Sequence, residues 1–139
     1  MLHIKTAATT EPVTLAEAKL HLRVDIDAED ALIGSLITAA REHVELVTGR
    51  ALADVSYSWT PEGDRTTPLP IVPATVTTDE GVTPIEFTTE PGVVPAALHA
   101  AILLLLGDMY ENRTASKDSR LAVNPTVSRL MFPYKRVLP

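Results

Sequence analysis

AEDALIGSLITAAREHVELVT, residues 28–48, is the stretch on which the fold turns. Leu32, Ile33, Leu36, Ile37, Ala40, Val44 and Val47 return at three- and four-residue steps, the spacing of one helical face. Thr38, Arg41, Glu42 and Glu45 fall on the other side, the side a surface helix turns to water. Asp27 is placed to cap the helix, with Glu29 and Asp30 in the first turn near the positive end of the dipole. Gly49 follows the last turn, where a left-handed residue closes a helix. At ~1.5 Å per residue the rod is roughly 30 Å long, about the width of a small domain.

Upstream, residues 1–11 show no clear period and predict an extended arm. Thr14 and Glu17 form a capping box that opens a short helix, with Leu15, Ala18 and Leu22 as its apolar stripe and an end near Arg23. Residues 24–27 turn into the long helix, so the two helices pack as a hairpin or an elbow. Downstream, Val55, Tyr57 and Trp59 alternate with Ser56, Ser58 and Thr60, which predicts a half-buried strand. Pro61, Pro68, Pro70 and Pro73 make residues 66–73 extended but bar them from a central strand. Val76 and residues 82–87 flank Asp79-Glu80-Gly81 as two short strands about a turn, and Pro84 places the second strand at an edge.

Pro95 stands at the start of a second long helix, residues 96–112. Its five consecutive apolar residues, 102–106, point all round the axis, the pattern of a helix buried on several sides. Residues 114–119 are short and polar. Asn124-Pro125 opens a short helix that runs to about Phe132 and stops at Pro133. The expected fold is mainly α in one domain: a small helical bundle (residues 12–49 and 95–132) with two long helices, short N- and C-terminal helices, a β or extended insertion over 53–92, and a tail over 133–139.

The 139 residues allow one domain with a real core, built from Leu, Ile, Val and Ala because aromatics are only 4%. With no cysteine there is no disulfide and no thiolate site, as expected of a protein made in a reducing cytoplasm. No signal-peptide pattern opens the chain, and no apolar run approaches the ~20 residues of a membrane span. The net charge of −6 argues against a general nucleic-acid binder. That charge is uneven: Lys plus Arg against Asp plus Glu is 5 to 8 over residues 1–50, 1 to 7 over 51–98 and 6 to 3 over 99–139.

His3, His21, His43 and His99 include no pair at metal-ligand spacing. His43 and His99 read as hydrogen-bonded core or interface histidines. The six glycines are scattered, so no phosphate loop exists, and there is no nucleophile elbow. Asp25, Asp27, Glu29 and Asp30 cluster, but helix capping explains them better than a magnesium site does. Asp108, Glu111 and Arg113 read as the charged end of an apolar helix. No catalytic residue, cofactor or metal is expected, and the protein is not read as an enzyme.

Several stretches resemble the head-tail connector family of tailed phages: PVTLAEAKLHLRVD (12–25), AARE (39–42), TGRAL (48–52), PAAL (95–98), AILL (101–104) and YENR (110–113). The closing PYK (133–135) is similar to a PYR-like ending common there. The acidic, proline-rich middle has no counterpart. The resemblance implies a non-catalytic adaptor of the virion neck, made in the host bacterial cytoplasm. It would form a ring, usually twelve-fold, beneath the portal, extend the DNA channel without sequence-specific binding, and meet a tail or head-completion protein.

A ring interface is heterologous, one surface meeting a different one on the next copy. Leu36, Ile37, Leu103, Leu104 and Tyr110 are the expected interface residues, and Tyr134, Lys135, Arg136 and Leu138 the expected portal-docking residues. The acidic middle could line the channel, since contacts that grip phosphate would retard passing DNA. The competing function is a DNA-packaging or regulatory factor that binds nucleic acid through Arg113, Lys117, Arg120, Arg129, Lys135 and Arg136.

Overall fold

The computed structural model describes residues 2–61, 68–79, 81–112 and 125–136. In chain order the elements are β1 (Leu2–Thr6), α1 (Leu15–Leu22), α2 (Asp30–Thr48), β2 (Ser56–Trp59), β3 (Ala74–Val76), β4 (Ile85–Thr89), α3 (Ala96–Glu111) and α4 (Pro125–Met131), with a 3-10 turn at Phe132–Tyr134.

Local chemistry explains both ends of α1. The Glu17 N–H donates to Thr14 Oγ1 at 3.1 Å, and the Thr14 hydroxyl donates to the Glu17 carboxylate at 3.3 Å. Arg23 closes the helix in the left-handed region at φ 59°, its N–H returning to the Leu20 carbonyl. The start of α2 differs from expectation: Asp27 does not cap it. Lys19 Nζ takes Asp27 Oδ1 at 2.8 Å and Asp30 Oδ1 at 2.9 Å, and the capping position falls to Glu29, whose side chain makes no capping bond. An ammonium outcompetes backbone N–H groups for these carboxylates. Those hydrogen bonds hold the Lys19 pKa above its ordinary value, and Lys19 in turn holds Asp27 below its own.

Ile33, Ile37, Ala40 and Val44 of α2 are buried as the periodicity requires. They join Val13, Ala18, Leu52, Leu98, Ala101, Ile102, Leu106, Val127 and Met131 in a core between the helices. Arg41 and Glu45, expected on the wet side, are buried too, and this corrects the sequence reading. A second layer covers that flank of α2.

The layer is a four-stranded antiparallel sheet in the order β1-β2-β4-β3. Alternation works as expected in β2: Val55, Tyr57 and Trp59 turn inward to meet Ile71 and Phe87, and the Tyr57 and Phe87 rings stack with centroids 5.3 Å apart. β3 and β4 form the hairpin read about residues 79–81, with Val76 opposite Phe87. The edge assignment is wrong, however. β4 is paired on both sides, and Pro84 lies just ahead of it, where the missing N–H costs no ladder bond.

The sheet is therefore no insertion in a helical bundle. Its outer strand β1 comes from the arm at the start of the chain, and helices and sheet form two layers with separate cores. α3 begins beside Pro95 as expected. At the far end Pro133 does not end the helical path, because α4 tightens into the 3-10 turn that contains it. Asn124 and residues 114–119 lie outside the described residues.

Three fastenings join the layers. Glu45 Oε2 accepts the Leu52 N–H at 3.1 Å, on the segment that leads into β2. Arg41 grips the carboxylate of Glu11 with two bonds, Nε to Oε2 at 2.9 Å and Nη2 to Oε1 at 3.0 Å, and also pairs with Glu45. The third lies at Gly49, left-handed at φ 72°, where a Cβ would sit 2.9 Å from Arg136 Cδ and 3.3 Å from the Pro70 carbonyl. Only glycine combines that turn with so close an approach.

Candidate assembly surface

The groups that could have formed a reactive centre have partners of other kinds. Asp27 and Asp30 of the acidic cluster before α2 pair with Lys19, and among the described residues no three His, Asp or Glu side chains are placed to hold a metal. His99 Nε2 lies 2.9 Å from Glu17 Oε2, a partly exposed link between α1 and α3. His43, expected on the apolar face, is exposed on α2. The cause is angular: it lies on the flank away from both layers. His21 rests beside Gly107 of α3, Nε2 being 3.5 Å from where a Cβ would stand. The Asp108 carbonyl accepts the N–H of Asn112 and its side-chain amide, so this is a helix end; Arg113 lies outside the described residues.

The expected interface residues fall into two groups. Ile37 is 3% exposed in the helical core and has no surface left for a neighbour. Leu36, Leu103, Leu104 and Tyr110 are half-buried and pack against the rim of that core. α3 is thus covered fully on the face of Leu98, Ala101, Ile102 and Leu106 and partly on the flank of Leu103 and Leu104.

The expected docking tail is partly built into the fold. Arg50 Nε donates to the Tyr134 carbonyl at 2.8 Å, with the guanidinium 5.8 Å from the centre of the Tyr134 ring, within cation–π range. The Arg136 N–H donates to the Thr48 carbonyl at 3.0 Å, and its Nη1 donates to the carbonyls of Leu69 at 2.9 Å and Gly49 at 3.3 Å. Lys135 is exposed between them. Leu138 lies outside the described residues.

Two surface features escaped the sequence reading. Leu20, in the last turn of α1, and Ile26, on the connection from α1 to α2, stand exposed. A cleft of about 260 Å³ opens between β1 and the C-terminal half of α2, lined by Leu2, Ile4, Leu46 and Tyr57 with Glu42 at its rim. Burial pushes the Tyr57 hydroxyl up to about 12, so it stays neutral there. A signal existed for each: Ile26 is a lone apolar residue between Asp25 and Asp27, and Leu46 lies off the apolar stripe of α2.

The family described as phage gp6-like head-tail connector protein matches residues 12–136. The chain belongs to this family. Among relatives, the head completion protein gp6 of Enterobacteria phage HK97 is 40% identical over 42 residues, 30% of this chain and 39% of that protein. The match thus spans about two fifths of that relative's length. The crystal structure of bacteriophage HK97 gp6 is similar with a TM-score of 0.53 and 21% identity, over 88% of this chain and 91% of that one. A chain from the virion of a native gene transfer agent particle gives a TM-score of 0.71 at 24% identity, over 99% and 96%. One from the neck of an empty particle of this kind, computed with C6 symmetry, gives 0.67 at 22%, over 99% and 96%. At these identities the likeness is one of fold, and it extends to the sheet as well as the helices.

Proposed function

We propose that this connector-family protein is a structural ring adaptor of the virion neck, seated between the portal and the tail or the next neck protein. The carrying observation is the family match, which runs from the first helix to Arg136 and takes in both layers. The names of the relatives, a head completion protein and chains of a virion and of a neck, support the same location. The protein would be made in the host cytoplasm, act without catalysis, assemble as a ring, in the virion twelve-fold, and let DNA pass without sequence-specific contact. The half-covered flank of Leu36, Leu103, Leu104 and Tyr110 would contribute to the ring. The exposed Lys135, on a root held by Tyr134 and Arg136, would meet the portal, together with Leu138 from beyond the described residues.

Arg136 spends its guanidinium on two backbone carbonyls of its own subunit, which leaves one cation fewer for a nucleic-acid surface. The test is electron microscopy of the concentrated protein alone and with its portal, beside DNA binding measured across salt concentrations. Rings stacked on the portal with weak DNA affinity are expected. A monomer that ignores the portal and binds DNA with a steep salt dependence would overturn the proposal.

A further inference from the structure

Building on the ring proposed above, we infer that the α1–α2 connection of one subunit is a hydrophobic knob. It seats in the cleft between β1 and α2 of the next subunit, and Arg23 beside the knob pairs with Glu42 on the cleft rim.

The knob is exposed and held in shape. Leu20 is 82% and Ile26 60% exposed, an arrangement that leaves two large side chains in water. The segment between them does not flop. Lys19 clips Asp27 and Asp30, Arg23 holds its left-handed turn, and the Val24 N–H returns to the Lys19 carbonyl at 2.9 Å. Little freedom is lost when a preorganised element docks.

The cleft matches it. Its walls are the apolar side chains of Leu2, Ile4 and Leu46 and the ring of Tyr57, with Ile4 49% and Leu46 64% exposed. Arg23 and Glu42 have no ion-pair partner within the subunit among the described residues. Knob and cleft thus agree in polarity, and Arg23 opposes Glu42 in charge.

A subunit cannot fill its own cleft. The knob precedes the first turn of α2 and Leu46 lies in its last, so at ~1.5 Å per residue roughly 24 Å of rigid helix separates them. In the ring proposed above the partner is a second copy, and a contact between two different surfaces propagates head to tail, closing into a ring when the rotation permits.

The test uses complementary losses in the full chain. One variant carries Leu20→Asp with Ile26→Asp, the other Ile4→Asp with Leu46→Asp; all four positions are exposed, so both should fold. Native mass spectrometry of each alone should show monomer, and the mixture should show a one-to-one dimer, because each retains the surface the other lacks. Separately, Arg23→Glu and Glu42→Arg should each weaken assembly by on the order of tenfold, and together restore it. Assembly of either double variant like the parent, a mixture that stays monomeric, or a charge-reversed pair no better than its single variants would overturn the inference while the parent's rings stand. A parent that forms no oligomer, alone or on its portal, would overturn the ring itself and the knob with it.

Discussion

The Arg41–Glu45–Glu11 cluster is the joint on which the two layers turn, and replacing Arg41 by Met measures it. Arg41 is 1% and Glu45 0% exposed. Removing the guanidinium leaves Glu45 in the interior with the Leu52 N–H as its remaining hydrogen bond, and frees Glu11 from its two-pronged contact. Breaking a buried pair by deleting one partner costs about 3–5 kcal/mol. Against the ~5–15 kcal/mol of a whole domain, this is a large share. Urea unfolding followed by circular dichroism should show the midpoint fall accordingly. The double variant Arg41→Met, Glu45→Leu should recover most of the loss, because apolar groups of similar volume replace a buried ion pair at little cost.

The pH dependence gives a second handle. Burial raises the Glu45 pKa above the ordinary carboxylate value, against the pull of Arg41 and the Leu52 N–H, while in Arg41 the hydrogen bonds to both glutamates outweigh burial and raise its pKa. A carboxyl raised in the folded state adds stability fully below its unfolded pKa and loses it as pH rises through the folded value. Without Arg41 the folded value should rise further, so the Arg41→Met deficit should be greatest near neutrality and shrink in acid. A folded Arg41→Met protein that loses under about 1 kcal/mol at neutral pH, or whose deficit grows in acid, would refute the reasoning.

Four further outcomes are expected. Thr14→Ala removes the oxygen that caps α1 and should cost about 1 kcal/mol in denaturant titration. Gly49→Ala combines a positive φ with a Cβ against the Pro70 carbonyl and should cost more than about 1 kcal/mol, seen as a lowered Tm. Truncation after Arg136 should keep the Tm and lose attachment to DNA-filled heads, whereas truncation after Met131 should lower the Tm as well, because Tyr134 and Arg136 tie residues 48–50 and 69. Treatment with EDTA should leave the Tm unchanged, since Lys19 already pairs with Asp27 and Asp30; a metal retained on elemental analysis, with unfolding on its removal, would contradict this.

What could be read from the sequence follows from how far each interaction reaches. The capping box of α1, the inward Val55, Tyr57 and Trp59, and the spans of the long helices depend on neighbours a few residues away, and they came out as expected. Arg41 and Glu45 failed for the opposite reason. A period of 3.6 reports one buried face, and here a second layer, built from residues 51–57 and from an arm carrying Glu11, buries an adjacent one. The arm itself carried no period because a short edge strand, half open to water, imposes none. The same limit hid the exposed apolar residues: Ile37 scored as apolar and serves its own core, while Leu20, Ile26 and Leu46 broke the pattern and stand in water.

Those departures share a physical sense. Within one subunit, an exposed leucine and a buried arginine both cost free energy relative to the reverse arrangement. The buried cluster meets its cost by locking the segment between β1 and α1, and the segment before β2, to α2, through Glu11 and Leu52. If a neighbour's knob fills the cleft, the joint that stiffens each subunit also sets the angle between successive subunits. Loosening Arg41 should then change the geometry of assembly before it abolishes the fold: rings of altered size, or open chains, from a variant whose helices are still formed.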